Sequence, residues 1–376
     1  MPSQTIPCAD CADATRRFEE RGFRVLGCVP HATAAQMCVI SFEPPALAAE
    51  RVLAAPAAAA AASSAPAMTP TQVRTAQAIV NLFETGEVLG RYGQVTVLPG
   101  DPGRLTYGRS QTTLGSGNLK LLLAQYCQNH GARFGARLQP QLARFAAGDE
   151  ALDSDARLHN LLRACADDPV MRETQDAFFD STYWQPALRA AAKLGLRSAL
   201  AVAVVYDSHV HGSWATLREL TNGSDGTVVA IGEQAWIGAY VRNRRAWLAN
   251  HKLTILHNTV YRMDAFQRLI DLGQWGLELP LVVRGAEISA TSLAAMPPEC
   301  YDGPPPGNRP LSMQQPLLRG LDVRLVQLVL SDSGADIRAD GVYGQGSVRC
   351  VKELQIARGL PVTGALDLAL IGELVR

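Results

Sequence analysis

The stretch FETGEVLGRYGQVTVLPGDPGRLTYGRSQTT, Phe83 to Thr113, places two of its acidic residues in contrasting settings. Glu84 follows apolar residues that recur at helical spacing, so we expect it on the last turn of a helix, at the rim of a core. Asp101 follows a short strand-like segment and lies in a turn rich in Gly and Pro. The end of a helix and the tip of a turn can face each other across a cleft, which predicts one site with two carboxyl groups.

Two carboxyl groups in a cleft are the minimal equipment for glycoside hydrolysis. One group, kept protonated by an apolar setting, donates its proton to the leaving oxygen, and the other activates a water molecule. The same residues are also compatible with a solvated helix end and an ordinary turn, because acidic residues are common and Asp favours turns. Spacing alone therefore leaves both interpretations open.

The composition is that of a soluble globular protein with more than one domain. The chain has 376 residues, of which 47% are hydrophobic and 19% charged. Lys plus Arg and Asp plus Glu both number 35, so the net charge is zero and gives no electrostatic basis for binding nucleic acid. We see no standard secretory signal at the N-terminus and no run of roughly 20 apolar residues that would span a membrane.

Four of the eight cysteines lie within the first 38 residues. The pair in Cys8-Ala-Asp-Cys11 has a spacing that can hold a metal ion or a disulfide. Cys28 and Cys38 are too far apart to supply the second pair of a zinc site, so the sequence favours reduced, ordinary cysteines. We therefore expect neither a metal ion nor another cofactor.

Two segments of biased composition divide the chain. One is an Ala/Pro linker at 47–70, which ends in an N-cap and a proline at the first position of a helix. The other is a Pro-rich linker at 297–310, where proline disfavours helix and central strand alike. The expected organisation is a small N-terminal α/β unit of unknown role at 1–46, a mainly helical catalytic domain at 71–296, and a compact helical block at 311–376.

Several short blocks carry a family resemblance, in the order Phe83-Glu84-Thr85-Gly86, Gly100-Asp101, Leu105 to Gly108 with Gln111 to Thr113, Val205 to Gly212, and Gly232-Glu233 with Tyr240 to Arg244. Together they resemble the family 46 chitosanases of the lysozyme-like superfamily, over about residues 71–253. The resemblance implies a mainly helical, two-lobed α+β fold. It also implies that Glu84 is the general acid, that Asp101 is the general base, and that Thr106 helps to hold the attacking water.

The same resemblance implies a charge network behind the catalytic acid. Asp207 and Arg244 match its two buried members, and Glu233 matches a neighbouring position. A guanidinium group near Glu84 would orient the acid, and a carboxylate would fix that guanidinium by bidentate bonds. Asp207 and Arg244 are also compatible with a plain structural ion pair.

Substrate-binding positions are implied at Arg104, Tyr107, Asn118 and His211. Asn118 departs from the family, because chitosanases place there an acid that grips the ammonium group of the substrate. The choice between chitosan and another sugar polymer is therefore open. His209 and His211 lie two residues apart and do not share a helical face, so they do not predict a metal site.

The C-terminal block resembles the peptidoglycan-binding domain 1 family, a three-helix module found beside many cell-wall hydrolases. The residues that carry this resemblance are Gly320 to Leu328, Ala339 to Gly344, Val348 to Gln355 and Gly359 to Gly364. A generic helical adaptor is the alternative. A module anchored on the cell wall would raise the local concentration of the catalytic domain at its polymer.

The sequence thus predicts an endo-acting glycoside hydrolase of the chitosanase type, with inversion implied by the resemblance alone. A peptidoglycan muramidase on the same scaffold is the alternative, favoured by the C-terminal block and Asn118. A non-catalytic wall-binding protein is a third possibility, although the intact Glu84, Asp101 and Thr106 argue against it. We expect a polysaccharide and the cell wall as partners, and action outside the cytoplasm, as a phage lysin or a secreted effector.

Overall fold

The computed structural model describes residues 3–7, 12, 16, 24–30, 37–43, 66–109 and 111–375. They fall into two compact units. The first unit consists of Met1–Leu89 and Phe179–Ala295, and the second unit consists of Gly90–Phe178 and Met296–Arg376.

The N-terminal residues of the first unit form a three-stranded antiparallel sheet. Its strands are β1 (Ser3–Pro7), β2 (Arg24–Pro30) and β3 (Met37–Glu43), and β3 is central in the order β1-β3-β2. The sequence patterns of FRVLGC at 23–28 and MCVISFE at 37–43 predict two strands, which β2 and β3 confirm, whereas β1 was not predicted. The pattern of DATRRFEERGF also predicts a short helix at 13–23, and this prediction and the pair Cys8 and Cys11 lie outside the described residues.

The rest of the described chain is mainly helical, as predicted. Its short strands are β4 (Val95–Thr96), β5 (Thr106–Tyr107), β6 (Thr112–Thr113), β7 (Leu281–Val283) and β8 (Ala286–Ile288). Its α-helices are α1 (Pro70–Thr85), α2 (Asn118–Gln128), α3 (Gly135–Leu138), α4 (Leu142–Ala147), α5 (Ala156–Cys165), α6 (Pro169–Phe179), α7 (Gln185–Leu194), α8 (Ala199–His211), α9 (Trp214–Ser224), α10 (Val228–Ile231), α11 (Glu233–Ala249), α12 (Tyr261–Asp271), α13 (Ala290–Ala294), α14 (Leu321–Asp332), α15 (Gln345–Ala357) and α16 (Leu368–Leu374). Of the helices in the described part of the chain, none has the length and apolar character needed to cross a membrane.

Helix α8 is the centre of the first unit. Its sequence ALAVAVVYDSHVH offers no polar face over the first eight residues, so the helix is buried on all sides from Ala199 to Ser208. It packs against α1, α7 and α11. This packing places one carboxylate, that of Asp207, inside an apolar core, where it requires charged partners.

Helix α1 begins and ends with clear capping signals. The Thr69 hydroxyl accepts a hydrogen bond from the Gln72 backbone N–H, and the Gln72 side chain accepts one from the Thr69 N–H. The helix stops at Gly86, whose φ of 76° is left-handed. The N-cap predicted at Thr69 is therefore confirmed, and the last turn of α1 carries Glu84.

The second unit contains the small antiparallel sheet β4-β5-β6. Thr96 and Thr113 pair with Thr106 from its two sides, so the three threonines lie on one face. The flanking Leu105 and Tyr107 are fully buried in the core of the unit, together with apolar residues of α2 and α5. The sheet is thereby fixed against the helices on one side.

The C-terminal block has the predicted three helices, α14, α15 and α16. Gln327 and Gln355 hold its loops, because their side-chain oxygens accept hydrogen bonds from the backbone N–H groups of Gly341 and Gly364. The block belongs to the same compact unit as Gly90–Phe178. The predicted linker at 297–310 belongs there too, because Pro excludes helix and central strand but permits a packed extended segment.

Candidate active site

Glu84 lies at the exposed end of an otherwise buried helical face. Ile79, Val80 and Phe83 of α1 are almost completely buried, whereas 41% of the Glu84 side chain is exposed. The position on the last turn at the rim of the core agrees with the sequence analysis. One carboxylate oxygen of Glu84 faces the buried guanidinium of Arg262.

Arg262, the second residue of α12, connects Glu84 to the buried Asp207. Its Nη2 lies 2.6 Å from Glu84 Oε1 and 2.8 Å from Asp207 Oδ1, and its Nε donates to the same Asp207 oxygen at 3.0 Å. Arg244 Nη1 donates to the other oxygen of Asp207 at 2.5 Å. Two guanidinium groups and two carboxylates thus form one chain of contacts, which we call the acid-support network: Glu84, Arg262, Asp207 and Arg244.

The inner part of the acid-support network is almost completely buried. Asp207 and Arg244 are fully buried, and only 2% of the Arg262 side chain is exposed. Burial opposes ionisation of Asp207, but the charges of Arg262 and Arg244 outweigh it and hold the pKa of that carboxyl below its ordinary value. Burial would likewise lower the pKa of Arg262, whereas Asp207 and Glu84 raise it above its ordinary value. Both groups therefore keep their charges, and the guanidinium at Glu84 is a fixed positive charge.

His211 completes the inner end of the network. Its Nδ1 lies 3.1 Å from Arg244 Nη2, and it accepts that hydrogen bond because a guanidinium can only donate. Burial, with the charges of Arg262 and Arg244, lowers the pKa of His211 to about 4. The imidazole is therefore neutral at neutral pH. The contact that the structure shows for His211 is with Arg244, whereas the sequence analysis expected one with substrate.

Arg262 was not predicted, because the family resemblance was traced only to about residue 253. A signal was nevertheless present in the sequence. Arg262, Phe266 and Leu269 recur at helical spacing, and all three are buried, so a charged residue stands on the apolar face of α12. A buried arginine at such a position requires an acidic partner.

Glu233 lies apart from the acid-support network, contrary to the sequence analysis. Its carboxylate accepts hydrogen bonds from the backbone N–H groups of Arg197 and Ser198, at 3.0 and 2.7 Å, and from the Ser198 hydroxyl at 2.5 Å. The physical reason is its position at the start of α11, beside the N-terminus of α8, where backbone donors without helical partners attract a carboxylate. Glu233 thus ties α11 to α8.

Asp101 occupies the predicted turn in the second unit. Its Oδ1 accepts a hydrogen bond from the Gly103 N–H at 2.9 Å, and the preceding Gly100 has a φ of 76° that favours glycine. Within the described part of the chain, its Oδ2 has no hydrogen-bond partner. The turn therefore fixes one oxygen of the half-buried carboxylate and leaves the other available to accept a proton.

Thr106 and Thr113 present hydroxyl groups on the sheet near this turn. The Thr106 hydroxyl donates to the Arg104 carbonyl at 3.1 Å, and that of Thr113 donates to the Ser116 hydroxyl at 2.8 Å. A Cβ atom on Gly103 would lie 3.2 Å from both Asp101 Oδ1 and Thr113 Cγ2. A side chain at position 103 would therefore crowd both the Asp101 carboxylate and Thr113, which glycine avoids.

Arg104 was predicted to bind substrate, but the structure uses its guanidinium elsewhere. Its Nε pairs with Asp153 at 2.8 Å, and its Nη1 and Nη2 donate to the carbonyl groups of Gly148 and Asp149 at 2.7 and 2.9 Å. The neighbouring Leu105 N–H also donates to Asp153, at 2.9 Å. All three guanidinium nitrogens thus hold the loop that supports β5, whereas the sequence analysis expected them to contact substrate.

The other two predicted substrate positions differ from each other. The Tyr107 side chain is fully buried in the core beside Leu105, so it cannot present a surface to a polymer, and this assignment is also corrected. Asn118 is half-buried and opens α2, where its backbone N–H donates to the Ser116 hydroxyl at 3.3 Å. Among the described residues, no group of three or more His, Cys, Asp or Glu side chains is arranged to hold a metal ion.

Comparison with known proteins identifies the family. Residues 78–281 match the profile of glycosyl hydrolase family 46, and residues 319–374 match that of a putative peptidoglycan binding domain. The chain is 30% identical to the chitosanase of Bacillus subtilis (strain 168) over 233 residues, which is 57% of this chain and 83% of that relative.

Solved structures of chitosanases are also matched. The native chitosanase from Bacillus subtilis MY002 has a TM-score of 0.49 and 27% identity, over 58% of this chain and 96% of that one. A family 46 chitosanase of Gynuella sunshinyii, in complex with chitotetraose, has a TM-score of 0.48 and 23% identity, over 59% of this chain and 98% of that one. Because the family profile covers more than half of the chain, the protein belongs to glycosyl hydrolase family 46. The predicted family and the predicted class, a glycoside hydrolase, are confirmed.

Proposed function

We propose that the protein is an endo-acting, inverting hydrolase of the β-1,4 bonds of an aminosugar polymer, with chitosan as its substrate. Glu84 is the general acid and Asp101 is the general base. The observation that carries the proposal is the acid-support network, which fixes Glu84 by a buried guanidinium in a chain of family 46. The relatives named above are chitosanases, which supports chitosan as the polymer.

The reaction needs one proton donor and one proton acceptor. Glu84 gives its proton to the glycosidic oxygen as the bond from that oxygen to the anomeric carbon breaks. A water molecule attacks the anomeric carbon from the opposite face, and Asp101 takes the proton that the water loses. The unpartnered Oδ2 of Asp101 is the acceptor, and the Thr106 hydroxyl helps to hold the water.

The acid-support network acts when Glu84 loses its proton. The carboxylate that develops in the transition state lies 2.6 Å from Arg262 Nη2, which already carries a full positive charge. Because Asp207 and Arg244 hold that guanidinium in place, little reorganisation is needed during the reaction. A preorganised donor of this kind contributes on the order of 100- to 1,000-fold to kcat.

A peptidoglycan muramidase on the same scaffold is the second candidate. Two observations favour it, namely the match of residues 319–374 to a putative peptidoglycan binding domain and the neutral Asn118. The same domain match supports action outside the cytoplasm, because a wall polymer lies there. The two candidates share the proposed roles of Glu84 and Asp101 and differ only in the polymer.

One experiment separates the polymers. The full chain is incubated with soluble chitosan and with purified peptidoglycan sacculi, and the release of new reducing ends is measured. We expect oligosaccharides from chitosan, and none in either assay from the Glu84→Gln variant, whose amide cannot donate a proton. Release from sacculi alone would establish the muramidase, and undiminished activity of a folded Glu84→Gln variant would refute the assignment of the acid.

A further inference from the structure

Helix α14 of the C-terminal block has two buried apolar faces. One face, with Val323, Val326 and Leu330, packs into the core of the block itself. Leu328 lies on the other side, is 1% exposed, and belongs to the core formed by α5 and the small sheet. A module that swings on a tether would keep one face of this helix polar, whereas α14 is buried almost all round.

One buried polar side chain of α5, Asn160, is hydrogen-bonded to the C-terminal block. Asn160 is 1% exposed, and its Nδ2 donates to the Ser331 hydroxyl at 2.9 Å and to the Ile337 carbonyl at 2.7 Å. Its Oδ1 accepts a hydrogen bond from the Ala339 N–H at 2.9 Å. A further hydrogen bond, from Arg163 Nη1 to Asn160 Oδ1 at 3.0 Å, lies within α5, whereas the three bonds to the C-terminal block would be lost without it, at a net cost of about 1 kcal/mol each.

A buried ion pair crosses the same interface. Arg324 Nε of α14 lies 2.9 Å from Asp167 Oδ2, and the two side chains are 2% and 0% exposed. The backbone N–H of Tyr301, from the Pro-rich segment, donates to the other oxygen of Asp167 at 2.9 Å. The Arg324 guanidinium also lies over the Tyr301 ring, with its Cζ 5.0 Å from the ring centroid. Asp167 is therefore held both by the C-terminal block and by the segment that precedes it.

This interface connects to the strand that bears Thr106. Cys300 of the Pro-rich segment packs with Tyr92 and Ala166 in a small buried cluster. The Tyr92 carbonyl accepts a hydrogen bond from Gln175 Nε2 at 3.0 Å, and Gln175 Oε1 accepts one from the Arg109 N–H at 3.0 Å. Arg109 follows β5 by two residues, so the packing of the C-terminal segment extends to the end of that strand.

We infer that the C-terminal block, residues 311–376, is a structural part of the unit that bears Asp101 and Thr106, and that the surface of α5 is its docking site. The block braces the catalytic base and its sheet in addition to any contact with the wall. Turnover of soluble oligosaccharides therefore requires the block, in contrast to the behaviour of a tethered module. The part of this inference that concerns turnover rests on the proposed function.

The test uses the full chain with a specific protease site inserted in the turn between Gly307 and Asn308. After cleavage, the two fragments are examined by gel filtration and the mixture is assayed on soluble chitosan oligomers. We expect the fragments to elute together and to keep the turnover of the uncut protein. Separation of the fragments, with full turnover in the larger one alone, would overturn the inference.

Matched variants show whether the buried contacts are responsible. In the cut protein, we expect Asn160→Ala to weaken the association of the fragments roughly 10-fold or more. Arg137→Gln is the control, because the Arg137–Asp332 ion pair lies at the exposed rim of the same interface, with side chains 40% and 41% exposed. It should change the association less than about fivefold.

The two ideas fail in different ways. Equal effects of Asn160→Ala and Arg137→Gln on association would contradict the docking inference, whatever the activity. An uncut, folded protein that is inactive on chitosan oligomers would contradict the proposed function and leave the association result unaffected.

Discussion

Replacement of Arg262 by Met is expected to lower stability and turnover through two different contacts. Towards Asp207, the variant leaves a fully buried carboxylate with Arg244 as its remaining charged partner. Removing one partner from a buried ion pair costs about 3–5 kcal/mol of the free energy of unfolding. Towards Glu84, whose side chain is 41% exposed, the lost contact contributes less than about 1 kcal/mol to stability. The stability loss therefore reports on Asp207.

The loss of turnover, in contrast, reports on Glu84. Without the guanidinium 2.6 Å from Oε1, the carboxylate that develops in the transition state loses its preorganised donor, so we expect kcat to fall about 100- to 1,000-fold. Arg262→Lys should be intermediate, because an ammonium group keeps the charge but lacks the planar fork that contacts both carboxylates. The ratio of kcat in the parent protein to kcat in Arg262→Lys then measures how much the planar guanidinium contributes to turnover beyond its charge.

The assays are chemical unfolding followed by tryptophan fluorescence, and initial rates on soluble chitosan oligomers. Arg245→Met is the matched control, since Arg245 of α11 pairs with Asp264 of α12, the helix that carries Arg262, and both side chains are 50% exposed. It should cost less than about 1 kcal/mol and leave kcat unchanged. A folded Arg262→Met protein with kcat within threefold of the parent would refute the proposed role of the network.

Three further predictions concern single side chains. The Asp101→Asn variant should have a kcat at least 100-fold lower than that of the parent. Azide should restore part of the turnover, because it attacks the anomeric carbon without needing a base. An unchanged kcat would exclude Asp101 as the base. His211→Asn keeps an acceptor for Arg244 but does not titrate. The pKa of His211 is about 4 in the folded protein and near 6.5 in the unfolded chain, so the parent protein loses up to ~3 kcal/mol of its free energy of unfolding as pH falls from 6.5 to 4. The variant should lose correspondingly less in unfolding experiments over that range. Arg104→Met should lower the melting temperature with little change in KM, whereas a large rise in KM would restore its substrate-binding role.

Local sequence patterns predicted the two acids correctly as structural positions. Glu84 lies at the end of a helix whose apolar periodicity and N-cap can be recognised from residues close to it in the sequence. Asp101 lies in a turn that neighbouring glycines and prolines favour. Both features depend on interactions within a few residues. The sequence could therefore place each acid on its own element.

Contacts between distant residues were harder to predict. Arg262 is 178 residues from Glu84 in the chain, and no local pattern encodes that pairing. The contacts of Arg104 were not predicted, because its partners lie in a loop more than 40 residues away. The contacts of the C-terminal block with α5 were not predicted, because proline content indicates the absence of helix, but not whether a segment packs. The apolar character of α14 on two sides was the overlooked signal.

The anomeric configuration of the first product tests the central claim most directly. The parent protein is mixed with chitosan oligomers in an NMR tube, and the anomeric protons of the new reducing ends are recorded before mutarotation equilibrates them. With Glu84 as acid and Asp101 as base to a water molecule, the β-linked substrate should give the α-anomer first. A β-anomer that appears first would show that a carboxylate attacks the sugar directly, and would contradict the proposed mechanism.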